Sequence, residues 1–537
     1  MIPRPLTRPT LLPARLALLG AAAGCAVLAT QGVPSAEWPR FLAGLSVVSA
    51  DGSTLADAMG GRVGTTLVLV SAAVMLAVTS GFAVAFAALR IGCGLSHLVG
   101  FIGRFVAAFP VLAVGWIAVG WIVGKNGWPI ESLLPHHPAP GRDTPELSLG
   151  RWLWWWFVPC WTLALPLAGE FVSLTIDQVR AAQNSEVTTS LRARGLKRSV
   201  IHYHHVLPAA WPGLLATIEV LGLMALGYVV FIEEAFGIPG WGSFFASAIR
   251  LGDASAIAGS IYIAGLMSGA WCFCISLLRF LTTRRRAPSS PPSGSSDDSA
   301  TKPAAVVASL AALVLAFCAF GESPAMAGLA ALLGPQVSPL VHDLRMVAAA
   351  CAAAVGLVML RSALPPVLDR PLPRLGLLET FSWSPLLVWT LAAAALMRDS
   401  ALVWIVPGVA VAAGGAVRIS THLTELRSSR AMEGSRAVGT GSIRAWRMHV
   451  LPGLFRAVLS WALEVSATLI IWVALIDALI SAGGTAAPKS LGLAMAAAED
   501  GVLSDLTPLV VPAVLVAISA LFFNQLSRIV RPSPPPH

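Results

Sequence analysis

Long apolar runs are the feature that most constrains what this chain can fold into. Stretches of the roughly 20 residues needed to cross a bilayer recur along it, and 56% of its 537 residues are apolar while only 12% are charged. Because lipid offers the backbone no hydrogen-bond partners, each run is expected to be a helix. The runs lie near residues 15–32, 63–89, 99–123, 152–176, 213–232, 255–280, 304–321, 344–360, 380–397, 401–417, 457–479 and 506–527. The sequence therefore predicts an all-α membrane protein with about twelve transmembrane helices.

The positive charge is distributed as in a membrane protein. The net charge is +9, and most lysines and arginines lie between runs on the side that also holds the N-terminus. Such basic segments face the cytoplasm. We therefore expect a multi-pass protein in a lipid bilayer, with both termini in the cytoplasm and no nucleic-acid partner.

A polar segment divides the runs into two sets of about six. Residues 283–302 are rich in Pro, Ser and charged side chains, a composition that cannot pack a core. We expect a first half at 1–282, a flexible cytoplasmic linker at 283–302 and a second half at 303–537. Two similar sets of runs also predict an internal repeat.

Two basic loops, at 177–211 and 418–456, carry that repeat at an offset of 244 residues. The matching pairs are Gly195 and Gly439, His205 and His449, Leu207 and Leu451, and Pro208 and Pro452. Each loop is predicted to be a short helix, a glycine turn, a second short helix and a Leu-Pro stop. Because both loops follow the fourth run of their half, the halves are expected to be parallel repeats.

The loops resemble the EAA loop of ABC-importer permeases. The likeness is carried by Glu433-Gly-Ser-Arg-Ala-Val-Gly439, nine residues and then His449-Val-Leu-Pro452, and the first loop repeats the spacing from Leu191-Arg-Ala-Arg-Gly195 to His205-Val-Leu-Pro208. These stretches are most similar to the dipeptide, oligopeptide and nickel permeases. The resemblance implies a type I ABC importer fold, with two permeases joined in one chain.

By this resemblance the chain is a transport component of a bacterial inner membrane and not an enzyme. The loops would dock on one or two cytoplasmic ATPases, which use ATP and Mg²⁺, while the chain itself has no catalytic residue and binds no cofactor or metal. An extracytoplasmic solute-binding protein would deliver a peptide, a nickel or other metal chelate, or a related amine-bearing compound. The implied coupling residues are Glu186, Arg192, Arg194, Gly195, His205, Leu207, Pro208, Glu433, Arg436, Gly439, His449, Leu451 and Pro452.

The two loops depart from the motif in different ways. The first has Thr189-Ser190-Leu191 where the motif has Glu-Ala-Ala and keeps only the upstream Glu186, whereas the second keeps Glu433 but has Arg430 upstream. We therefore expect two unequal docking surfaces.

Three carboxylates fall within apolar runs, at Glu170, Glu219 and Glu464. A charge at mid-membrane costs about 2.5–3.5 kcal/mol on insertion scales, so such acids face a cavity or a partner. Glu219 and Glu464 lie in equivalent helices. Our hypothesis is that they line the solute pathway near its cytoplasmic side and favour a cationic or amine-bearing solute; the alternative is a hydrogen-bonded packing role.

A twelve-helix secondary transporter of major-facilitator type is the alternative function, since that class also has two six-helix halves and a central linker. Such carriers typically have a Gly-x-x-x-Asp-Arg-like loop after their second helix, but residues 90–97 contain no acid. The alternative also gives no reason for two Gly-x9-His-x-Leu-Pro loops.

Overall fold

The structure is a computed structural model that describes residues 11–30, 54, 57, 59–121, 149–283, 324–363, 386–396, 406–427, 429–480, 490–498 and 505–530. Its helices before the predicted linker are α1 Leu11–Thr30, α2 Arg62–Ile91, α3 Cys93–Ala107, α4 Val111–Val119, α5 Leu149–Gln183, α6 Glu186–Ala193, α7 Arg198–Ile201, α8 Leu207–Ala235, α9 Trp241–Leu251 and α10 Ala254–Thr283. Those after it are α11 Pro324–Ala363, α12 Leu386–Leu396, α13 Val406–Arg427, α14 Arg430–Ala437, α15 Ser442–Ala445, α16 Leu451–Ile480, α17 Leu491–Ala497 and α18 Thr507–Val530.

Seven helices in the described residues are long and apolar enough to cross a membrane, and the number is eight if the bent pair α3 and α4 forms one span. The seven lie in α2, α5, α8, α10, α11, α16 and α18. The predicted run at 304–321 and the linker beyond Thr283 lie outside the described residues. The total of about twelve therefore stays a prediction.

Residues 99–123, which the sequence predicts as one span, are broken in the structure. Pro110 adopts an extended conformation between α3 and α4, and the two helices are bent by 84° relative to each other. A proline removes a helix hydrogen bond and disfavours helical conformation in the residue before it. The run predicted here therefore contains two helices, a break that hydropathy alone does not register.

Each half is packed around one long central helix. In the first half α2, α3 and α8 pack on α5, while α1 lies along α10. The contact of α3 with α5 is a backbone contact, because a Cβ added at Gly169 would lie 2.4 Å from the carbonyl oxygen of Gly103. Small residues allow this close approach between membrane helices.

The second half repeats this order of helices where it is described. Helix α11 packs on α13 as α2 packs on α5, and α16 contacts α17 and α18 as α8 contacts α9 and α10. The halves also contact each other, through α8 with α12, α9 with α16, and α18 with α3 and α4. One continuous apolar core contains residues of both halves.

Candidate functional site

The two loops that repeat in sequence have corresponding backbones. The first contains α6 and α7, the second contains α14 and α15, and each of these helices begins and ends 244 residues after its counterpart. A π-helical turn then leads into the next long helix, at His202–Val206 in the first loop and Trp446–Val450 in the second. The offset of the sequence repeat therefore holds for every element of the two loops.

In each loop, the first short helix is followed by a glycine in the left-handed conformation. The φ angle is 77° at Gly195 and 78° at Gly439, and no atom lies within 4 Å of a Cβ added at either position. The next residue donates its amide to the carbonyl five residues back, at 3.4 Å from Leu196 and 3.1 Å from Thr440. Glycine is therefore required by the backbone conformation of this helix end and not by crowding.

In the first loop, hydrogen bonds hold helix α6 against the end of α5. Ser185 caps α6 by accepting the amide of Thr188 at 3.3 Å, and the Thr188 hydroxyl donates to the carbonyl of Ala182 at 2.9 Å. Arg192 donates to the carbonyl of Gln183 at 3.2 Å. These bonds fix α6 relative to the long helix that precedes it.

The π-helical turn of the first loop packs on the end of α2. The Arg90 guanidinium donates to the Tyr203 hydroxyl and lies 4.6 Å from the centre of the Phe86 ring, which also contacts the His202 ring. These contacts give His202 a packing role. Within the part of the chain that the structure describes, no group of three or more His, Cys, Asp or Glu residues is arranged to hold a metal ion.

The second loop is held by different side chains. A ring nitrogen of His449 lies 2.7 Å from the Ser435 hydroxyl, which ties the π-helical turn to α14. Leu191 occupies the position equivalent to Ser435, so His205 cannot form the same bond. The backbones correspond, but the side-chain contacts that hold them do not.

Most of the residues implied by the resemblance lie on the surface of the loops. The exposed ones are Glu186, Arg192, Arg194, Gly195, His205, Glu433, Gly439, Leu451 and Pro452; Leu207, Pro208 and His449 are half-buried; the side chain of Arg436 lies outside the described residues. Large apolar side chains are exposed beside them, including Val438 at 83% and Met448 at 61%. Exposed apolar side chains at a loop surface are typical of a protein–protein contact.

Both loops lie at the same end of the helix bundle, which we call the loop end. Asp177, six residues before α5 ends, lies 2.8 Å from Arg528 of α18. The neighbouring Ser527 exchanges hydrogen bonds with Ser460, which lies near the start of α16. The end of α5 and the start of α16 are therefore close together.

At the opposite end, a buried carboxylate in each half faces a short helix. Glu233 is fully buried, and its carboxylate accepts the amides of Gly242 and Ser243 at 2.6 and 3.1 Å and the Thr66 hydroxyl at 2.6 Å. It thereby caps the start of α9, where the helix dipole favours a negative charge.

The second half has two carboxylates in the equivalent place. Asp343 accepts the amide of Leu491 at 3.0 Å. Asp477, 244 residues after Glu233, lies beside Gly492, where an added Cβ would be 2.9 Å from the Asp477 Cβ. Asp343 therefore holds the start of α17, as Glu233 holds the start of α9, and Asp477 packs against it.

A cavity of about 390 Å³ lies between the halves. Its lining comes from α3, α5 and α8 of the first half and from α12, α16 and α18 of the second. The charged residues in the lining are Arg104, Glu170, Asp177, Glu464 and Arg528. Pockets of this volume hold small organic ligands.

A cluster of charges closes the loop end of the cavity. Asp177 is 3.4 Å from a nitrogen of Arg104 in its own half and 2.8 Å from a nitrogen of Arg528 in the other half. One carboxylate thus bridges two guanidinium groups and links the halves. Sequence reasoning did not find this cluster, because its members lie in three separate helices.

The structure places the two predicted pathway acids differently. Glu464 lines the cavity and pairs with Arg418 of α13 at 2.8 Å. Glu219 is buried and pairs with Arg279 of α10 at 2.8 Å, and it does not line the cavity. The side chain of Glu219 faces α10, as the alternative packing role predicts, whereas Glu170 lines the cavity. The pathway role of Glu219 and Glu464 stays a prediction.

These features define a helical membrane permease with paired loops at one end of a bundle and a charged cavity between its halves. Residues 77–288 match the family described as binding-protein-dependent transport system inner membrane component. This match confirms the resemblance to an ABC-importer permease that was found in the sequence. The family match includes the first loop and ends before the second half, so the joining of two permeases stays a prediction.

A relative in Sinorhizobium fredii, named as a probable peptide ABC transporter permease protein, is 23% identical over 161 residues. The match covers 29% of this chain and 49% of the relative, so it spans about half of the relative's length. No solved structure matches the chain. The family and the helices together confirm an all-α, multi-pass membrane permease.

Proposed function

We propose that the chain is the transmembrane permease subunit of an ATP-driven importer and that its two halves form the translocation pathway of a small solute. An extracytoplasmic binding protein delivers the solute, and one or two cytoplasmic ATPases supply the energy. Of the solutes that the resemblance implies, which are a peptide, a metal chelate or a related amine-bearing compound, we favour a peptide. The relative named as a probable peptide permease supports this choice.

The correspondence of the two loops is the observation that carries the proposal. Each loop presents a short helix ended by a left-handed glycine, and each continues through a π-helical turn into the long helix of its half. A rigid connection of this kind lets a force applied to the loop move the long helix as one body. Helices α8 and α16 both line the cavity, so movement of either loop changes the shape of the pathway.

The exposed apolar side chains on the loops support docking on an ATPase. Docking buries Val438 and Met448, which the isolated chain exposes. With both loops at one end of the bundle, the ATPases bind on one face, which is the cytoplasmic face if both termini lie in the cytoplasm.

Co-purification with ATPase subunits from the native host tests the proposal. We expect the tagged chain, extracted in mild detergent, to retain ATPase subunits, and the complex to hydrolyse ATP faster when solute and binding protein are added. A secondary transporter retains no ATPase, so a chain recovered alone under conditions that preserve other importers would rule the proposal out.

A surface variant sharpens this test. Val438→Asp places a charge on the second loop at a side chain that is 83% exposed. We expect the variant to fold, as judged by an unchanged elution volume, and to retain less ATPase. Leu251→Asp, a control that changes an exposed leucine at the end of α9, away from both loops, should retain as much ATPase as the unmodified chain.

A further inference from the structure

At the end of the bundle opposite the loops, one hydroxyl group of the first half makes two hydrogen bonds at the start of α9. The Thr66 oxygen accepts the amide of Trp241 at 2.8 Å, and its hydrogen is donated to the Glu233 carboxylate at 2.6 Å. Glu233 in turn accepts the amide of Gly242 at 2.6 Å. The hydroxyl of α2 is therefore an acceptor toward the short helix and a donor toward the carboxylate of α8.

The second half has the same arrangement with an acid in place of the hydroxyl. Asp343 of α11 accepts the amide of Leu491 at 3.0 Å, as the threonine accepts the first amide of α9. Asp477 of α16 lies beside the next residue, Gly492, and its charge is close enough to act on Asp343. Two aspartates thus meet where the first half has a threonine and a glutamate.

This pair lacks the hydrogen that the threonine supplies in the first half. Asp343 is fully buried and Asp477 is 6% exposed, and the Oδ1 atom of Asp343 has no hydrogen-bond partner. Two ionised carboxylates have no hydrogen to share and repel each other strongly away from water. A neutral carboxylic acid, in contrast, has one O–H donor and keeps an acceptor oxygen, which are the two functions of the Thr66 hydroxyl.

Among the described side chains, none of positive charge faces the two acids. Helix α17 contains no charged residue, and Asp505, which precedes α18, is exposed and accepts the amide of Thr507 at 2.8 Å. The other titratable side chains on the helices around Asp343 lie on other faces of α11 or toward the loop end; they are His342, Arg345, Cys351, Arg418, His422, Arg456, Glu464 and Arg528. The repulsion between the acids is therefore not relieved by a neighbouring cation.

We propose that Asp343 and Asp477 bind one proton between them, with Asp343 as the donor at Oδ1 and Asp477 as the acceptor. Two close carboxyl groups that cannot both ionise share a proton in this way. The bound proton joins α11 to α16 while the other oxygen of Asp343 holds the start of α17. Loss of the proton leaves two buried negative charges beside each other, and their repulsion loosens this end of the second half. The proposal does not depend on the chain being an importer.

Unfolding of the full chain in detergent tests the proposal between about pH 5.5 and pH 9, where ordinary carboxyl groups stay ionised. Over this range only the folded chain holds the proton, so its stability should fall as the pH rises. One proton corresponds to a change of up to about tenfold in the unfolding constant per pH unit. Asp343→Asn, whose amide has hydrogens at every pH, should lack this contribution, and Asp343→Thr, which copies the first half, should behave in the same way.

Infrared spectroscopy in lipid nanodiscs distinguishes a bound proton from a purely structural role. A neutral carboxylic acid has a carbonyl stretch that an ionised carboxylate lacks and that shifts in heavy water. The unmodified chain should show one such band that disappears at high pH and is missing from Asp343→Asn. Asp477→Asn should lack the same band, because its amide lets Asp343 ionise as a hydrogen-bond acceptor.

Asp505→Asn is the matched control, since it removes an exposed aspartate at the same end of the bundle, and it should keep both the band and the pH dependence. Equal pH dependence of the unmodified chain and Asp343→Asn, or identical carbonyl bands in the two, overturns the proposal. Stabilisation by Na⁺ at constant pH that Asp343→Asn abolishes, without a carbonyl band, would assign a metal ion to the pair and overturn it as well. If Asp343→Asn fails to fold, Asp343→Thr and the pH dependence of the band in the unmodified chain still decide.

Discussion

At the scale of single residues, Glu233 stands out among the described residues by its buried polar contacts. Its carboxylate satisfies two backbone amides at the start of α9 and the hydroxyl of Thr66. We expect Glu233→Ala to destabilise the chain by about 2 kcal/mol or more, because it leaves buried donors without partners. The measurement is the midpoint of thermal unfolding in detergent.

The conservative variant separates hydrogen bonding from packing at this site. Glu233→Gln keeps one acceptor oxygen and should recover much of the lost stability, whereas Glu234→Gln removes only a half-exposed ion pair with Arg250 and should cost at most about 1 kcal/mol. Equal midpoints for Glu233→Ala and Glu234→Gln would contradict this account of the α9 cap.

Sequence reasoning identified the intramembrane acids but not the direction that each one faces. Glu219 lies in a helix that is apolar on every side and mostly buried. No polar face of this helix therefore indicates where the side chain of Glu219 points. Only the packing of α10 shows that it pairs with Arg279. The cavity charges were missed for the same reason, since α3, α5 and α18 are brought together by tertiary packing alone.

At the scale of elements, the loops were the most predictable part of the chain. Glycine and proline mark helix ends by mechanisms that act within a few residues, so the elements that they bound recur at the offset read from the sequence. The break at Pro110, in contrast, could not be predicted from the local sequence. A proline inside an apolar run is compatible with both a kinked span and two separate helices, and the surrounding helices decide between them.

The different motif residues of the two loops lead to a prediction about the coupling of ATP hydrolysis to solute transport. Gly439→Ala forces a Cβ into a left-handed conformation at a cost of about 1–2 kcal/mol, and Glu433→Gln removes the acid that only the second loop keeps in its motif. We expect both to lower the solute transported per ATP hydrolysed more than Thr189→Ala does in the first loop. The measurement is solute uptake and ATP hydrolysis in the same proteoliposomes.

A second glycine in the same loop is the control. Gly434 lies inside α14, has no positive φ and has no atom within 4 Å of an added Cβ, so Gly434→Ala should leave coupling intact. Equal losses from Thr189→Ala and Gly439→Ala would show that the two loops are functionally equivalent.

At the scale of the whole molecule, the halves share one core although the predicted linker separates them in sequence. Contacts of α8 with α12 and of α18 with α3 and α4 join them, as does the bond of Asp177 to Arg528. We expect residues 1–290 and 295–537, expressed together as separate chains, to associate, so that a tag on the first retrieves the second from detergent. Recovery of the first piece alone would contradict an interface that is stable without the linker.

Helix α8 gives the molecule a further property. It runs without interruption over 29 residues, about 44 Å, from the π-helical turn of the first loop to the carboxylate that holds α9. If the helix moves as one body, both of its ends shift together, so we expect partners bound there to be thermodynamically linked. If a protein that contacts α9 tightens the docking of an ATPase on the loop, the ATPase must tighten the binding of that protein by the same factor.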